Sequence, residues 1–420
     1  MDRMVIEGGR ALRGRVEVLG AKNAVLKEMV ATLLAPGRHF LRNVPGILDV
    51  ALMGDVLEHI GVMVRRTDHA IEIEVPDELR PEAPLDLVRL MRASIVVLGP
   101  LLARCGRAAV AFPGGDDLGA RPIDMHLDGL EQMGVVFELE HGVLTARVDG
   151  RLRGAEVTLD FPSVGATENL LFAATLADGA TVIHNAAREP EIQDLIRQLS
   201  KMGAVVEGAS SSTLVVEGSP ALHPTDHSVV PDRLEAGTYA VAAAITAGDI
   251  EIASCVPDHL RMEMSKLEQV GCVVHRGDDW LRITGPERPV AVDFATLPFP
   301  GFHTDMHPQM VALLSVAEGT SVITENLYDA RFRYVGELAR MGADITIDWQ
   351  HAVVRGVPSL SGCPVVAPDI RAGAALALAG LRAEGETVVS AIHHIDRGYE
   401  GFVERLSGLG ASITRAPDEK

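Results

Sequence analysis

Positive charge is in short supply in this chain. Against 58 acidic residues it carries 38 Lys and Arg, a formal net charge of -20. A general affinity for nucleic acid or an anionic membrane is thereby excluded, because a phosphate backbone is held by surplus cations. Long apolar runs are also missing. No segment reaches the ~18 uninterrupted apolar residues of a membrane span, and the opening MDRMVIEGGRALRG has no core of signal-peptide length. A cytoplasmic location is expected. Cys105, Cys255, Cys272 and Cys363 stand alone without CxxC or nearby Cys/His pairing, which excludes a disulfide framework or zinc site and leaves four expected small buried hydrophobes. No carboxylate/His cluster has ligand spacing, so neither metal nor cofactor is implied. His393 and His394 fall on an expected strand, where neighbours face opposite sides, which argues against a paired ligand site.

What is present is a repeat. At 420 residues and 47% hydrophobic content the chain can bury large cores in two or three domains. A helix tail, a glycine and a strand recur as LLAPGRHFLRN, LLARCGRAAVAF, LADGATVIHN, ITAGDIEIAS, VAEGTSVITEN and LRAEGETVVSA, with glycines at 37, 106, 179, 248, 319 and 385. A second phrase follows each, from LEHIGVMV to LSGLGASI, with glycines at 61, 134, 203, 271, 342 and 410. In both phrases the glycine sits where a helix C-cap needs a left-handed residue, and β-branched alternation then marks a strand. Each unit reads strand, helix, strand, helix, then a hairpin. ENLLFAATLA and AGAALALAGL are apolar on more than one face, so their helices belong inside and the sheets outside. Six units divide into two groups of three near residues 223–233, with a site expected between the groups. A plain α/β solenoid is the alternative, but its usual periods are shorter.

Residues that break the repeat are the candidates for chemistry. Lys22 and Asn23 of LGAKNA stand at a helix start, where backbone amides favour an anion. VRLMRAS places Arg89 and Arg92 three apart on one helical face. Ser163, Val164 and Gly165 of FPSVGATEN offer amides before a helix, or an ordinary Ser cap. REPEI, residues 188–192, reads as an ion-paired turn. PGGDDLGARP, residues 113–122, sets Asp116, Asp117, Arg121 and Pro122 in a glycine-framed loop. Later come Asp305, in the position of a helix cap, then Arg331 with Arg333, Asp369 with Arg371, and Asp396 with Arg397. Structural ion pairs would be the ordinary reading, yet each sits in a connection, and loops on a rigid scaffold carry function disproportionately.

GAKNA, MRAS, GARP, PSVGATEN, NAAREPEI, FPxxxTDM, DIRAGAAL and HIDRGYE occur here in one order across essentially the whole chain. In this the sequence resembles the enolpyruvyl transferases, in the branch that acts on a sugar nucleotide. The resemblance implies a two-domain inside-out α/β barrel of six ~70-residue βαβαββ repeats. It implies residues 22–229 as one domain, with a mobile catalytic loop, and 1–21 plus 230–420 as the other, with the active site in the interdomain cleft. It implies phosphoenolpyruvate and UDP-N-acetylglucosamine as partners and no obligate protein partner. The enolpyruvyl group would pass to the sugar 3-hydroxyl through a tetrahedral ketal with release of phosphate, the first committed step of peptidoglycan synthesis.

Lys22, Arg121 and Arg397 would hold the phosphate and carboxylate of phosphoenolpyruvate, with Arg92 and Arg371 nearby. Asp305 would accept or orient the hydroxyl proton. By position, Asn23, Pro122, Ser163, Val164, Gly165, Leu327, Arg331 and Asp369 would line the substrates. In much of the family the loop reads Cys where this chain has Asp116, and that residue is general acid and target of the epoxide antibiotic fosfomycin. Asp116 departs from the pattern. An aspartate of reference pKa about 3.9 can donate at neutral pH only if that value is raised, and a carboxylate is a poor nucleophile beside a thiolate. An acid-shifted pH optimum and insensitivity to fosfomycin are the expectations. The sister branch acting on shikimate 3-phosphate is disfavoured by MRAS and PSVGATEN. A paralogue with another nucleotide acceptor, given His303 and Tyr328 beside the expected sugar site, or a silent nucleotide-sugar binder, are the alternatives.

Overall fold

Each seventy-residue repeat builds one four-stranded sheet over buried helices. The computed structural model describes residues 2–111 and 123–417, apart from the side chains of Leu85, Arg89, Leu90 and Arg92. Loop residues Asp116, Arg121 and Pro122 therefore lie outside the described residues. The third repeat shows the pattern. Glu156–Thr158 runs parallel to Ala180–His184, which pairs antiparallel with Thr213–Glu217, which pairs with Val205–Glu207 at the edge. All six sheets keep this order. Along Ala70–Val75 alternate side chains are buried, as the two-residue period of a half-buried strand requires.

The sheets turn their apolar faces onto inner helices that have almost no solvent side. In Arg233–Ile245 and Ile370–Arg382 nearly every residue is buried, so alanine-rich helices apolar all round are what the interior needs. One compact unit spans Gly20–Val230, and the other joins residues 2–19 to Pro231 onward. Each has its own apolar core. Among the described residues the chain passes from one unit to the other at 19–20 and returns at 230–231. Within one unit Asp232 N donates to Leu19 O at 2.8 Å, and within the other Ala21 N donates to Val230 O at 2.7 Å.

Three sheets take a strand from far along the chain. Residues Asp226–Ser228 complete the sheet of Gly37–Arg42, Arg13–Glu17 lies parallel to Asp249–Ala253, and Asp2–Glu7 fills the place between Glu386–Ser390 and Ser412–Pro417.

The second glycine phrase has one backbone geometry. Gly61, Gly134, Gly203, Gly271, Gly342 and Gly410 all have φ between 94° and 104°, a region that side chains rarely adopt. The first phrase follows suit at five positions and fails at Gly248. There Ala247 takes the left-handed turn at φ 52°, while Gly248 is needed because a Cβ would run into the Leu12 carbonyl oxygen.

Four other expectations are corrected. Arg89 and Arg92 do not share a helix face, since the helix Leu85–Leu90 stops at Met91, extended at φ -144°, and a 3-10 turn starts at Arg92. His393 and His394 are helical rather than on a strand, which ends at Ser390, and their ring centroids stand 4.2 Å apart. REPEI is no turn, because Pro190 opens the helix Pro190–Lys201, a place where its missing N–H costs nothing. Cys255 and Cys272 are buried, but Cys105 and Cys363 are only half-buried.

Two glycines of one repeat separate backbone from packing. Gly342 has φ 94° and Gly336 lies exposed in the helix Val335–Arg340, with open space at both Cβ positions. Gly342→Ala is expected to cost about 1–2 kcal/mol, and Gly336→Ala to stabilise by about 0.5–1 kcal/mol, both read from denaturant unfolding.

Candidate functional site

In the unit formed by residues 2–19 and 231–417, three inner helices begin at acids. Asp232 Oδ1 accepts from Leu234 N and Glu235 N at 2.8 and 3.1 Å, and Asp369 Oδ1 from Arg371 N and Ala372 N at 2.8 and 2.9 Å. Asp305 departs from its expected cap role. His303 Nδ1 accepts from Asp305 N at 2.9 Å instead, which fixes that nitrogen as the unprotonated one and leaves the aspartate side chain for other work.

That side chain meets two buried arginines. Arg331, 1% exposed, donates through Nε and Nη2 to Thr304 O at 3.1 and 2.8 Å and through Nη2 to Asp305 Oδ1 at 3.1 Å. Arg371 Nε reaches Asp305 Oδ2 at 3.3 Å, and its guanidinium lies 5.1 Å from the Tyr399 ring centre. Burial pushes the Arg371 pKa down, but Tyr399, Asp305 and Asp232 outweigh it and the net shift is upward. Asp305 keeps 21% side-chain exposure between guanidiniums that have 1% and 4%. Arg371 Nη1 is buried without a hydrogen-bond partner among the described residues, so a donor stands in reserve where an acceptor would be welcome.

Leu327 joins this group through a residue that the sequence reading missed. Buried Glu325 accepts from Leu327 N at 2.8 Å and Tyr328 N at 3.2 Å with Oε1, and from Thr304 Oγ1 at 2.9 Å with Oε2. A signal existed. Asn43, Asn185, Ser254 and Ala391 follow equivalent strands with φ near 55°, and Glu325 breaks that series. Arg397 is half-buried at the end of the helix His393–Asp396. Its sequence neighbour Asp396 accepts from Arg415 at 3.1 and 2.8 Å.

The unit Gly20–Val230 starts its inner helices differently. Neither Lys22–Ala31 nor Val164–Thr175, nor the turn at Arg92–Val97, has an acid in its first turn. The positive end of each is thus not answered by an acid in its own first turn, as suits an incoming anion. Lys22 Nζ stands 2.9 Å from buried Asp49, a partner not singled out from sequence, and Asn23 follows half-buried. Ser163 is an ordinary cap, its Oγ accepting from Ala166 N at 3.3 Å. A Cβ on Gly165 would lie 3.1 Å from the His126 ring, so Gly is what lets that ring lie against the helix start.

Asn169 ties these pieces together. Its Oδ1 accepts from Gly99 N at 2.7 Å, while its Nδ2 serves Ile95 O at 3.3 Å and His126 Nδ1 at 3.1 Å. Lys27 reaches Glu168 at 3.5 Å across the Lys22 and Val164 helices, and burial raises the Glu168 pKa to about 7 despite it. The structure thus gathers Asp305, Leu327, Arg331, Asp369 and Arg371 in one unit. In the other it holds the starts at Lys22 and Ser163 in a common polar network.

The EPSP synthase (3-phosphoshikimate 1-carboxyvinyltransferase) family profile matches residues 6–406. The chain belongs to this enolpyruvyl transferase family. Among its relatives are proteins named UDP-N-acetylglucosamine 1-carboxyvinyltransferase from Mycobacterium tuberculosis, 54% identical over 99% of both chains, and from Anaeromyxobacter dehalogenans, 51% identical over 99% of both. The crystal structure of the enolpyruvyl transferase NikO from Streptomyces tendae superposes with a TM-score of 0.88 at 27% identity, covering 99% of each chain. An EPSP synthase from Acinetobacter baumannii, 18% identical with a TM-score of 0.76 and covering 99% and 100%, shares the fold. The inside-out α/β architecture is that of these enolpyruvyl transferases, with helices within and sheets without. No helix among the described residues is long and apolar enough to cross a membrane.

Arg331 is so enclosed that its first duty is to Thr304 and Asp305. Arg331→Lys, which loses the fork, is expected to lower stability by about 3 kcal/mol with no ligand present, measured by denaturant unfolding. A loss seen only in activity would make it a direct ligand contact instead.

Proposed function

We propose that this enolpyruvyl transferase moves the enolpyruvyl group of phosphoenolpyruvate to the 3-hydroxyl of UDP-N-acetylglucosamine, releasing phosphate, as the committed step of peptidoglycan synthesis in the cytoplasm. The observation that carries the reading is the full-length 54% identity to relatives of that name. The Asp305 arrangement supports it chemically: a partly exposed carboxylate, held on both oxygens by buried guanidiniums, is a fixed acceptor for a hydroxyl proton. The functional division within the same reading is 22–229, carrying the loop, and 1–21 plus 230–420.

The reaction distributes protons as follows. The sugar hydroxyl adds through oxygen to C2 of phosphoenolpyruvate and gives its proton to Asp305, while C3 receives a proton from Asp116. The resulting ketal loses phosphate, which carries away the proton taken up by Asp305, and returns a C3 proton to Asp116 to restore the double bond. Lys22, Arg121 and Arg397 hold the anionic groups, with Arg92 and Arg371 nearby, and the orphan Arg371 Nη1 offers one donor more. Asn23, Pro122, Ser163, Val164, Gly165, Leu327, Arg331 and Asp369 orient the sugar nucleotide or the groups that touch it. Acid-free helix starts at Lys22 and Val164 suit its diphosphate.

Phosphate release from phosphoenolpyruvate tests this directly. It is expected to require UDP-N-acetylglucosamine and to fall by at least two orders of magnitude in Asp116→Asn. Release with no sugar nucleotide, or none at any pH, would overturn the assignment. Asp116 also sets the pH response. The donor form is lost as pH rises through its pKa, so turnover falls at a lower pH than in Asp116→Cys, whose thiol has a reference pKa of about 8.5. Equal alkaline limbs would remove Asp116 from the acid role. Fosfomycin is expected to leave the protein active and to inactivate Asp116→Cys, as mass spectrometry of the loop peptide would show.

A further inference from the structure

Behind Lys22 lies a buried polar cluster that the reaction does not use. Glu28 on the Lys22 helix, Asp194 on the helix Pro190–Lys201 and His227 on the strand Asp226–Ser228 are 0%, 1% and 3% exposed, with ligand-type atoms all within 4.8 Å. His227 Nε2 stands 3.1 Å from Asp194 Oδ1 and 3.6 Å from Glu28 Oε1. Both Glu28 carboxylate oxygens, His227 Nδ1 and Gln198 Oε1 are buried without hydrogen-bond partners among the described residues. A lone structural ion pair would not need a second carboxylate, and a fully buried carboxylate is costly unless paired or protonated.

The cluster grips the Lys22 helix at two levels. Asp194 Oδ2 accepts from Val230 N at 2.6 Å, Val230 O accepts from Ala21 N at 2.7 Å, and Ala21 caps the helix whose first residue is Lys22. Farther along the same helix, Glu28 faces His227, and its carbonyl accepts from Gln198 Nε2 at 3.0 Å. The relay from Asp194 through Val230 to Ala21 thus ends one residue short of Lys22.

We propose that Asp194, His227 and Glu28 are positioning residues that fix Lys22 and Asn23 through the Val230–Ala21 relay, and that this hold is governed by protons. The inference rests on the proposed role of Lys22 toward phosphoenolpyruvate. Other charges facing the cluster are Arg197 on Asp194 at 2.8 Å, and Asp226 beside His227, itself paired with Arg42 at 2.6 Å and near Lys201. Burial raises the Glu28 pKa to about 8, with Asp194 adding to the rise. Burial would lower His227, but Asp194 and Glu28 raise it to about 9. Burial would raise Asp194, yet the His227 contact holds it at about 2.

The signs agree. Groups raised in the folded state contribute fully below their unfolded values, about 4.3 and 6.5, and lose that contribution as pH rises through 8 and 9. The depressed Asp194 loses its contribution only as pH falls through 2. The hold is therefore fullest in mild acid, weakens progressively as pH rises through neutrality, and is lost above pH 9.

Amide hydrogen exchange at Ala21 and Val230 in the ligand-free protein, from pH 6 to 9.5 and corrected for intrinsic rates, reads the relay itself. In the native sequence protection is expected to fall at least tenfold between pH 7.5 and 9.5, and in Asp194→Asn to be tenfold lower already at pH 7. Glu28→Gln, close in shape, is expected to retain the pH 7 protection and flatten the alkaline fall. The KM for phosphoenolpyruvate is expected to rise several-fold in Asp194→Asn while kcat changes less than twofold. Protection indifferent both to pH and to Asp194→Asn overturns the proposal. Should the native protein show no transfer, the proposed function fails while exchange still decides the relay.

Discussion

Enclosing helices within sheets forces polar chemistry to the helix ends. An inner helix such as Ile370–Arg382 has no solvent face on which a charge could rest, so charged side chains gather where the backbone itself is unsatisfied. Arg331 and Arg371 are tolerable in the interior because Asp305, Thr304 O and the face of Tyr399 receive them. Removing one partner would strand the others. The same enclosure keeps the geometry narrow, since a guanidinium with 1% exposure has few alternative rotamers.

The two units resolve this constraint with opposite electrostatics. Asp232, Asp305 and Asp369 place negative charge at the helix starts of one unit, and two buried arginines answer it. At the Lys22 and Val164 starts of the other there is no first-turn acid. A chain of net charge -20 can thus accommodate an anionic ligand without being basic overall, because the potential that matters acts within the first turn of a helix. Partnering within each unit is strong enough to organise the side chains before substrate arrives, which lessens the ordering cost of binding.

Much of the architecture was legible because glycine was needed for φ. Six glycines in one phrase meant six copies of one turn, and the backbone gives them one geometry. Gly248 looked the same in sequence, yet is small for contact with the Leu12 carbonyl while Ala247 makes the turn. Only packing distinguishes those reasons. The arginines and Asp305 were visible as breaks in the repeat, whereas Asp49, Glu325 and Tyr399 became meaningful only as partners. Glu28, Asp194 and His227 lie far apart along the chain and share no spacing, so only the fold could bring them together. Asp116 carried its meaning solely through family resemblance.

The borrowed strands give the chain a fixed order of completion. Every sheet of the Gly20–Val230 unit has all its strands once Asp226–Ser228 is made. Arg13–Glu17 must wait for Asp249–Ala253, and Asp2–Glu7 for Glu386–Ser390 and Ser412–Pro417. During synthesis, which adds about 5–20 residues each second, Asp2–Glu7 and Arg13–Glu17 are therefore made long before their neighbours. Their unpaired edges are the surface most open to mispairing in that interval, so a chaperone acting then would have to shield those strands.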